Sequence, residues 1–159
     1  MHRVLAVSTA ALAVLFVFPL VALASSPIHA TASGTLLSHT QTPIRSADGN
    51  LTFSAVDIVA FSGDIAGTAT DTYTFTVHPD GSINGHGTET CAACTIGGRT
   101  GSYTEAFNFT ATANFASFAG RFAVLSGTGG LAGLRGEGTF QGAGFSETIN
   151  LNYHFAPGP

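Results

Sequence analysis

The sequence predicts an all-β domain behind an apolar leader. After residue 24, glycine, threonine, serine and phenylalanine are abundant while leucine, lysine and glutamate are scarce, the reverse of what helices favour. Turn signals recur at about the 8–12-residue spacing of a β-sandwich or barrel. The clearest are Ala47-Asp48-Gly49-Asn50, Pro79-Asp80-Gly81, Gly97-Gly98, Gly127-Thr128-Gly129-Gly130 and Gly142-Ala143-Gly144.

The leader comes first. Met1, His2 and Arg3 are followed by an almost purely apolar run from Val4 to Ala24 that closes on Ala22-Leu23-Ala24, the small-x-small pattern of a cleaved secretory signal. The run is long enough to cross a bilayer, so an uncleaved anchor is the alternative, and Ala30 is a second cleavage position. Removing residues 1–24 leaves residues 25–159 as a single domain of 135 residues, secreted or held in the periplasm or cell envelope. Nothing later in the chain is apolar for long enough to span a membrane as a helix. The domain carries four arginines, no lysine and nine acidic residues, a balance of −5 with histidines neutral. An acidic chain with scattered arginines lacks the electrostatic footprint of a nucleic-acid binder.

Strands are expected near 32–41, 51–60, 62–70, 72–78, 82–91, 99–110, 112–125, 134–141 and 145–155, eight or nine in all, with 112–125 bent or split. Pro79-Asp80-Gly81 places proline and glycine where a tight turn needs them, so the flanking strands form an antiparallel hairpin. No helix longer than a turn is expected after the leader.

Alternation then sorts residues by face. In 99–110, Tyr103, Phe107 and Phe109 share one face. In the last strand Phe145, Ile149, Leu151, Tyr153 and Phe155 do the same. Glu105 and Glu147 fall on these apolar faces, Glu89 shares a face with Ile83, and Asp57 one with Leu51, Phe53 and Val59. Buried carboxylates cost several kcal/mol unless paired or hydrogen-bonded. Either a bulge returns them to solvent, or they form a polar cluster in an apolar cavity, where a carboxyl with a raised pKa serves as acid or base. Glu105, Glu147 and Asp57 are the candidate catalytic residues. Tyr103, Phe107, Phe109, Tyr153 and Glu89 are candidate ligand contacts.

Cys91 and Cys94 stand as Cys-Ala-Ala-Cys. In an exported chain this is best read as a small disulfide closing the turn between the strands at 82–91 and 99–110. A thioredoxin-like role needs a helix start, and zinc needs two more ligands. His39, His78 and His154 show no ligand spacing and read as solvent-side residues. No metal or cofactor motif, nucleophile elbow or phosphate loop occurs. Gly127-Thr128-Gly129-Gly130 precedes a strand, not a helix, so it reads as a turn.

Three segments carry a family resemblance: Phe61-Ser62-Gly63-Asp64-Ile65-Ala66-Gly67, Gly97-Gly98-Arg99-Thr100-Gly101-Ser102-Tyr103, and the run from Gly127 to Gly138 that contains Gly129, Gly130, Arg135 and Gly136. Together they resemble a bacterial family of unknown function placed with the allene oxide cyclase-like barrels. The Gly-Thr-Gly element followed by Arg135-Gly136 is also similar to a hairpin of plant allene oxide cyclases and dirigent proteins. The resemblance implies an eight-stranded antiparallel, calycin-like barrel. It allows an oligomer. Strand placement puts the glycines in a tight turn with close strand packing, and Arg135 is expected to pair with a nearby carboxylate.

Such a barrel is either filled by side chains or wide enough for one small ligand. Three functions follow in order of expectation: non-catalytic binding of a small hydrophobic molecule; a cyclase or isomerase using Glu105 or Glu147, with Tyr103 or Tyr153 as hydrogen-bond partner; and a filled barrel that is purely a structural or interaction module. The eleven phenylalanines after residue 24 favour a filled interior. A cavity of about 300 Å³ or more favours the first two.

Overall fold

In a computed structural model that describes residues 26–156, the chain forms eight antiparallel strands joined into one closed ring. They are β1 (Ile28–Ala47), β2 (Asn50–Gly63), β3 (Ile65–Val77), β4 (Ile83–Ile96), β5 (Arg99–Ala111), β6 (Phe118–Gly127), β7 (Leu134–Ala143) and β8 (Ser146–Phe155). Each strand pairs with the next, and β8 returns to β1 through Ile28↔Tyr153 to Thr35↔Ser146. The ring closes through that segment alone; beyond Leu36, β1 pairs only with β2 and its other edge is exposed. Residues 1–25 lie outside the described residues, and with them the expected leader at 1–24. Ala30 is buried in β1 opposite Leu151.

Several expected boundaries change: β1 covers Ile28–Ala47 where 32–41 is expected, and β4 runs on to Ile96 where 91 is expected. The strands placed at 62–70 and 72–78 are one continuous β3, while residues up to Gly63 belong to β2. The strand placed at 112–125 starts only at Phe118; residues 112–117 form a loop with one 3-10 turn, Ala113–Phe115. The β3–β4 hairpin turns at Pro79-Asp80-Gly81 as expected, with Asp80 accepting hydrogen bonds from the Ser82 backbone N–H and hydroxyl.

The disulfide is present, but not in the turn. Cys91 and Cys94 both lie within β4, astride a register shift against β5 between those two residues, and the turn follows at Gly97-Gly98. The bulge brings the two thiols together on the buried side, where both are fully enclosed.

One end of the ring is sealed. Leu131, Leu134, Ile96 and Leu151 are almost wholly buried there beside the cystine. Leu131 sits on a 3-10 turn, Gly129–Leu131, between β6 and β7. Gly129 takes a left-handed φ of 61°, and a Cβ on Gly101 would lie 2.0 Å from the Thr128 carbonyl, so the segment can press against β5 only where glycine stands. Among the described residues Arg135 pairs with no carboxylate, contrary to expectation: its Nη1 donates to the Leu134 carbonyl at 2.7 Å. Arg135 is an exposed residue of β7, with its guanidinium turned back onto its own backbone.

Candidate functional site

The ring interior contains a cavity of about 360 Å³. Its rim is formed by His39 and Gln41 of β1, Asn114 and Phe115 of the β5–β6 loop, and Gly144, Phe145 and Ser146 at the β7–β8 turn. Its walls are aromatic, with Phe61, Phe107, Phe109, Phe118, Phe122 and Phe140 facing inward. The phenylalanines therefore line the space without filling it. Small residues opposite them make the room: a Cβ on Gly120 would strike the Phe140 ring at 2.3 Å, and one on Gly85 the Phe109 ring at 2.5 Å.

Through this apolar space runs a polar belt. Asp57 of β2, Asp71 of β3, Glu89 of β4 and Glu105 of β5 are successive cross-strand partners, and His39 of β1 continues the row as the partner of Asp57. All five line the cavity, and Glu147 enters it from β8. The belt exists because the register of β2, β3, β4 and β5 is unbroken at this level, so one inward position per strand falls at the same height. Glu147 points inward where β1 has only Gly34; a Cβ there would lie 2.6 Å from its Oε1.

Hydrogen bonding satisfies this belt unevenly. His39 Nδ1 lies 2.6 Å from Asp57 Oδ1, and the Tyr73 hydroxyl donates to Asp57 Oδ2 at 3.0 Å. The Tyr103 hydroxyl donates to Glu89 Oε1. Asp71 Oδ1 is buried with no partner among the described residues. Glu105, 8 % exposed, is likewise hydrogen-bonded by nothing among them.

Burial dominates the electrostatics, because removing a carboxylate from water disfavours its charged form. It pushes Asp71 up to about 9, with the Glu89 and Glu147 charges adding to the effect. Glu89 is raised well above the usual range by burial and then by Glu105, against the lowering effect of the Tyr103 hydrogen bond. Glu105 is raised by burial, then by Asp71 and Glu147. Glu147 is raised to about 7 by burial and then by Asp57. Tyr73 and Tyr103 are raised as well, first by burial, then by the carboxylates they face. The belt thus offers carboxylic acids able to donate a proton inside an aromatic cavity.

Of the positions singled out in the sequence, Asp57, Glu89, Tyr103, Glu105, Phe107, Phe109 and Glu147 all come together here. Tyr153 does not. It is buried at the sealed end, its ring edge-on to Phe155 and its hydroxyl against Gly97. Asp71, Tyr73 and His39 are additions. Asp71 fell in the break placed between two strands that are one. His39 is exposed, as expected, but stands at the cavity mouth: a register shift between Leu36 and Ser38 moves the cavity side of β1 from even to odd positions. The sequence signal for Asp71 was its period-two spacing from Tyr73 and Phe75. Nothing local signals the β1 shift.

The sequence of this ring matches a family model described as a protein of unknown function, DUF3224, over residues 29–155. The chain belongs to the DUF3224 family. Among solved structures, a DUF3224 protein of unknown function from Shewanella oneidensis MR-1 is similar at TM-score 0.66 and 16 % identity, over 83 % of this chain and 99 % of that one. At that identity the likeness extends to the fold. Among curated proteins there is no match.

Proposed function

We propose that this DUF3224 chain is an exported small barrel that takes one small hydrophobic molecule into its interior without transforming it. The observation that carries this reading is the cavity itself: about 360 Å³, aromatic-walled, with convergent polar groups. That volume is within the roughly 300–1,000 Å³ range of ordinary ligand sites. Export is supported by the apolar run at residues 4–24 and by the buried cystine, which suits an oxidising compartment. The test is titration with the neutral fluorophore N-phenyl-naphthylamine. Saturable binding of one molecule per chain, lost when Val124 on the cavity wall is replaced by Trp, is expected. Unsaturable binding, or binding indifferent to Val124→Trp, sinks the reading.

A second reading is a cyclase or isomerase of the allene oxide cyclase or dirigent kind. Its support is Glu105, an acid with no hydrogen-bond partner in an apolar cavity, beside Tyr103 and Glu147. Carboxyl-carbon NMR is expected to find Glu105 and Glu147 both titrating above the ordinary glutamate range. Ordinary values for both would remove the case for acid catalysis.

A further inference from the structure

The cavity has an unusual charge inventory. Asp57, Asp71, Glu89, Glu105 and Glu147 face it, while Arg45, Arg99, Arg121 and Arg135 are all exposed and none lines it. Arg99 instead covers the Phe155 ring, 4.0 Å from its centroid. Among the described residues the single basic side chain at the cavity is His39, on the rim and engaged by Asp57. Two acceptors are left over in the interior: Asp71 Oδ1 and the 8 %-exposed Glu105 carboxyl, neither hydrogen-bonded among the described residues.

We propose that the occupant of this cavity is a hydrophobic organic cation, a protonated amine on an apolar or aromatic body, whose charged end sits among Asp71, Glu89, Glu105 and Glu147. The proposal rests on the ligand-holding reading above and names its ligand class. Unpartnered carboxyl groups in an apolar enclosure supply the acceptors that an ammonium group needs. The surrounding phenylalanine rings present the negative faces that attract cations. An anionic ligand such as a fatty acid would meet carboxyl groups and no compensating base. An inorganic ion fits less well, since among the described residues no three of these groups converge as a metal site. When an ammonium ion enters, the carboxyl group that pairs with it gives up its proton to solvent, so total charge in the cavity is conserved.

Phenylbutylamine, butylbenzene and phenylbutanoate form a matched series of one body with a cationic, neutral or anionic end. In calorimetric titrations at neutral pH the amine is expected to bind about tenfold or more tightly than the hydrocarbon, with proton release, and the carboxylate more weakly than either. The double variant Glu105→Gln, Glu147→Gln, which imitates the protonated acids, is expected to narrow the amine's advantage over the hydrocarbon to within about twofold, and an advantage that stays tenfold overturns the assignment of the charged end to these carboxyl groups. Equal affinities for amine and hydrocarbon in the native protein would overturn the cation preference and leave the cavity reading standing. Binding of none of the three would overturn both. Should the double variant not fold, the native protein still decides: the Glu105 carboxyl-carbon resonance is expected to move on adding phenylbutylamine, and an unmoved resonance with the amine bound overturns the proposal.

Discussion

Raising the pH from 5 to 9 is expected to lower the thermal midpoint of this protein by roughly 10 °C or more, a loss of stability on the order of 5 kcal/mol. Glu147 titrates near 4.5 when unfolded and about 7 when folded, and Asp71 moves from 3.8 to about 9. Glu89 and Glu105 are displaced in the same direction. Between the unfolded and folded values the native chain holds protons that the unfolded chain has lost. Stability therefore falls with rising pH, by about 1.4 kcal/mol per pH unit for each such proton. The contribution is fully present below about pH 4 and is lost as pH passes 7 for Glu147 and 9 for Asp71. Asp80, whose carboxyl is lowered by its Ser82 hydrogen bonds, acts oppositely but only at acid pH below this window. Calorimetric scans at half-unit steps are the measurement. A midpoint that rises from pH 5 to 9 would show that the belt is solvated and charged.

Leu131→Ala is expected to cost about 2–5 kcal/mol, the range for truncating a fully buried leucine. Leu131 is 0 % exposed and belongs to the apolar cluster that seals one end of the ring, with Leu134, Ile96 and the cystine. The site cannot collapse easily, because the turn carrying it is fixed on both sides: its N–H donates to the Thr128 carbonyl at 3.0 Å, and Gly127 packs against its own carbonyl. The lost methyl groups should leave a void at the sealed end rather than a repacked core. Urea denaturation of the variant measures the cost. A loss below about 1 kcal/mol would mean that the turn is a loose cover, not part of the core.

These two expectations come from different levels of legibility. The glycine-rich stretch around Leu131 is visible as a turn because Gly129 and Gly133 take left-handed φ, a demand on the residue's own backbone. The belt is only half visible. Strand alternation placed Glu105 and Glu147 inward because their flanking residues alternate without interruption. Asp71 reads as a gap because aspartate is the one strand-poor residue between Thr70 and Thr72; in the ring, cross-strand pairing with Asp57 and Glu89 carries the strand through it. Tyr153 was placed on the correct face but at the wrong height, since alternation gives direction and not position along the axis.

An all-β chain, the period-two faces of β5 and β8, the β3–β4 hairpin and the glycines of the sealing turn are all written in the order of residues. Each of these depends on contacts within a few residues or on the two-residue repeat of the backbone. The closure of β8 onto β1, the parity change at Leu36–Ser38 that brings His39 to the cavity mouth, and the common height of Asp57, Asp71, Glu89 and Glu105 emerge only in the folded ring. Those features follow from register between strands, and register is set by pairing across the sheet. The raised pKa values have the same origin, because it is the enclosure by all eight strands that removes those carboxyl groups from water.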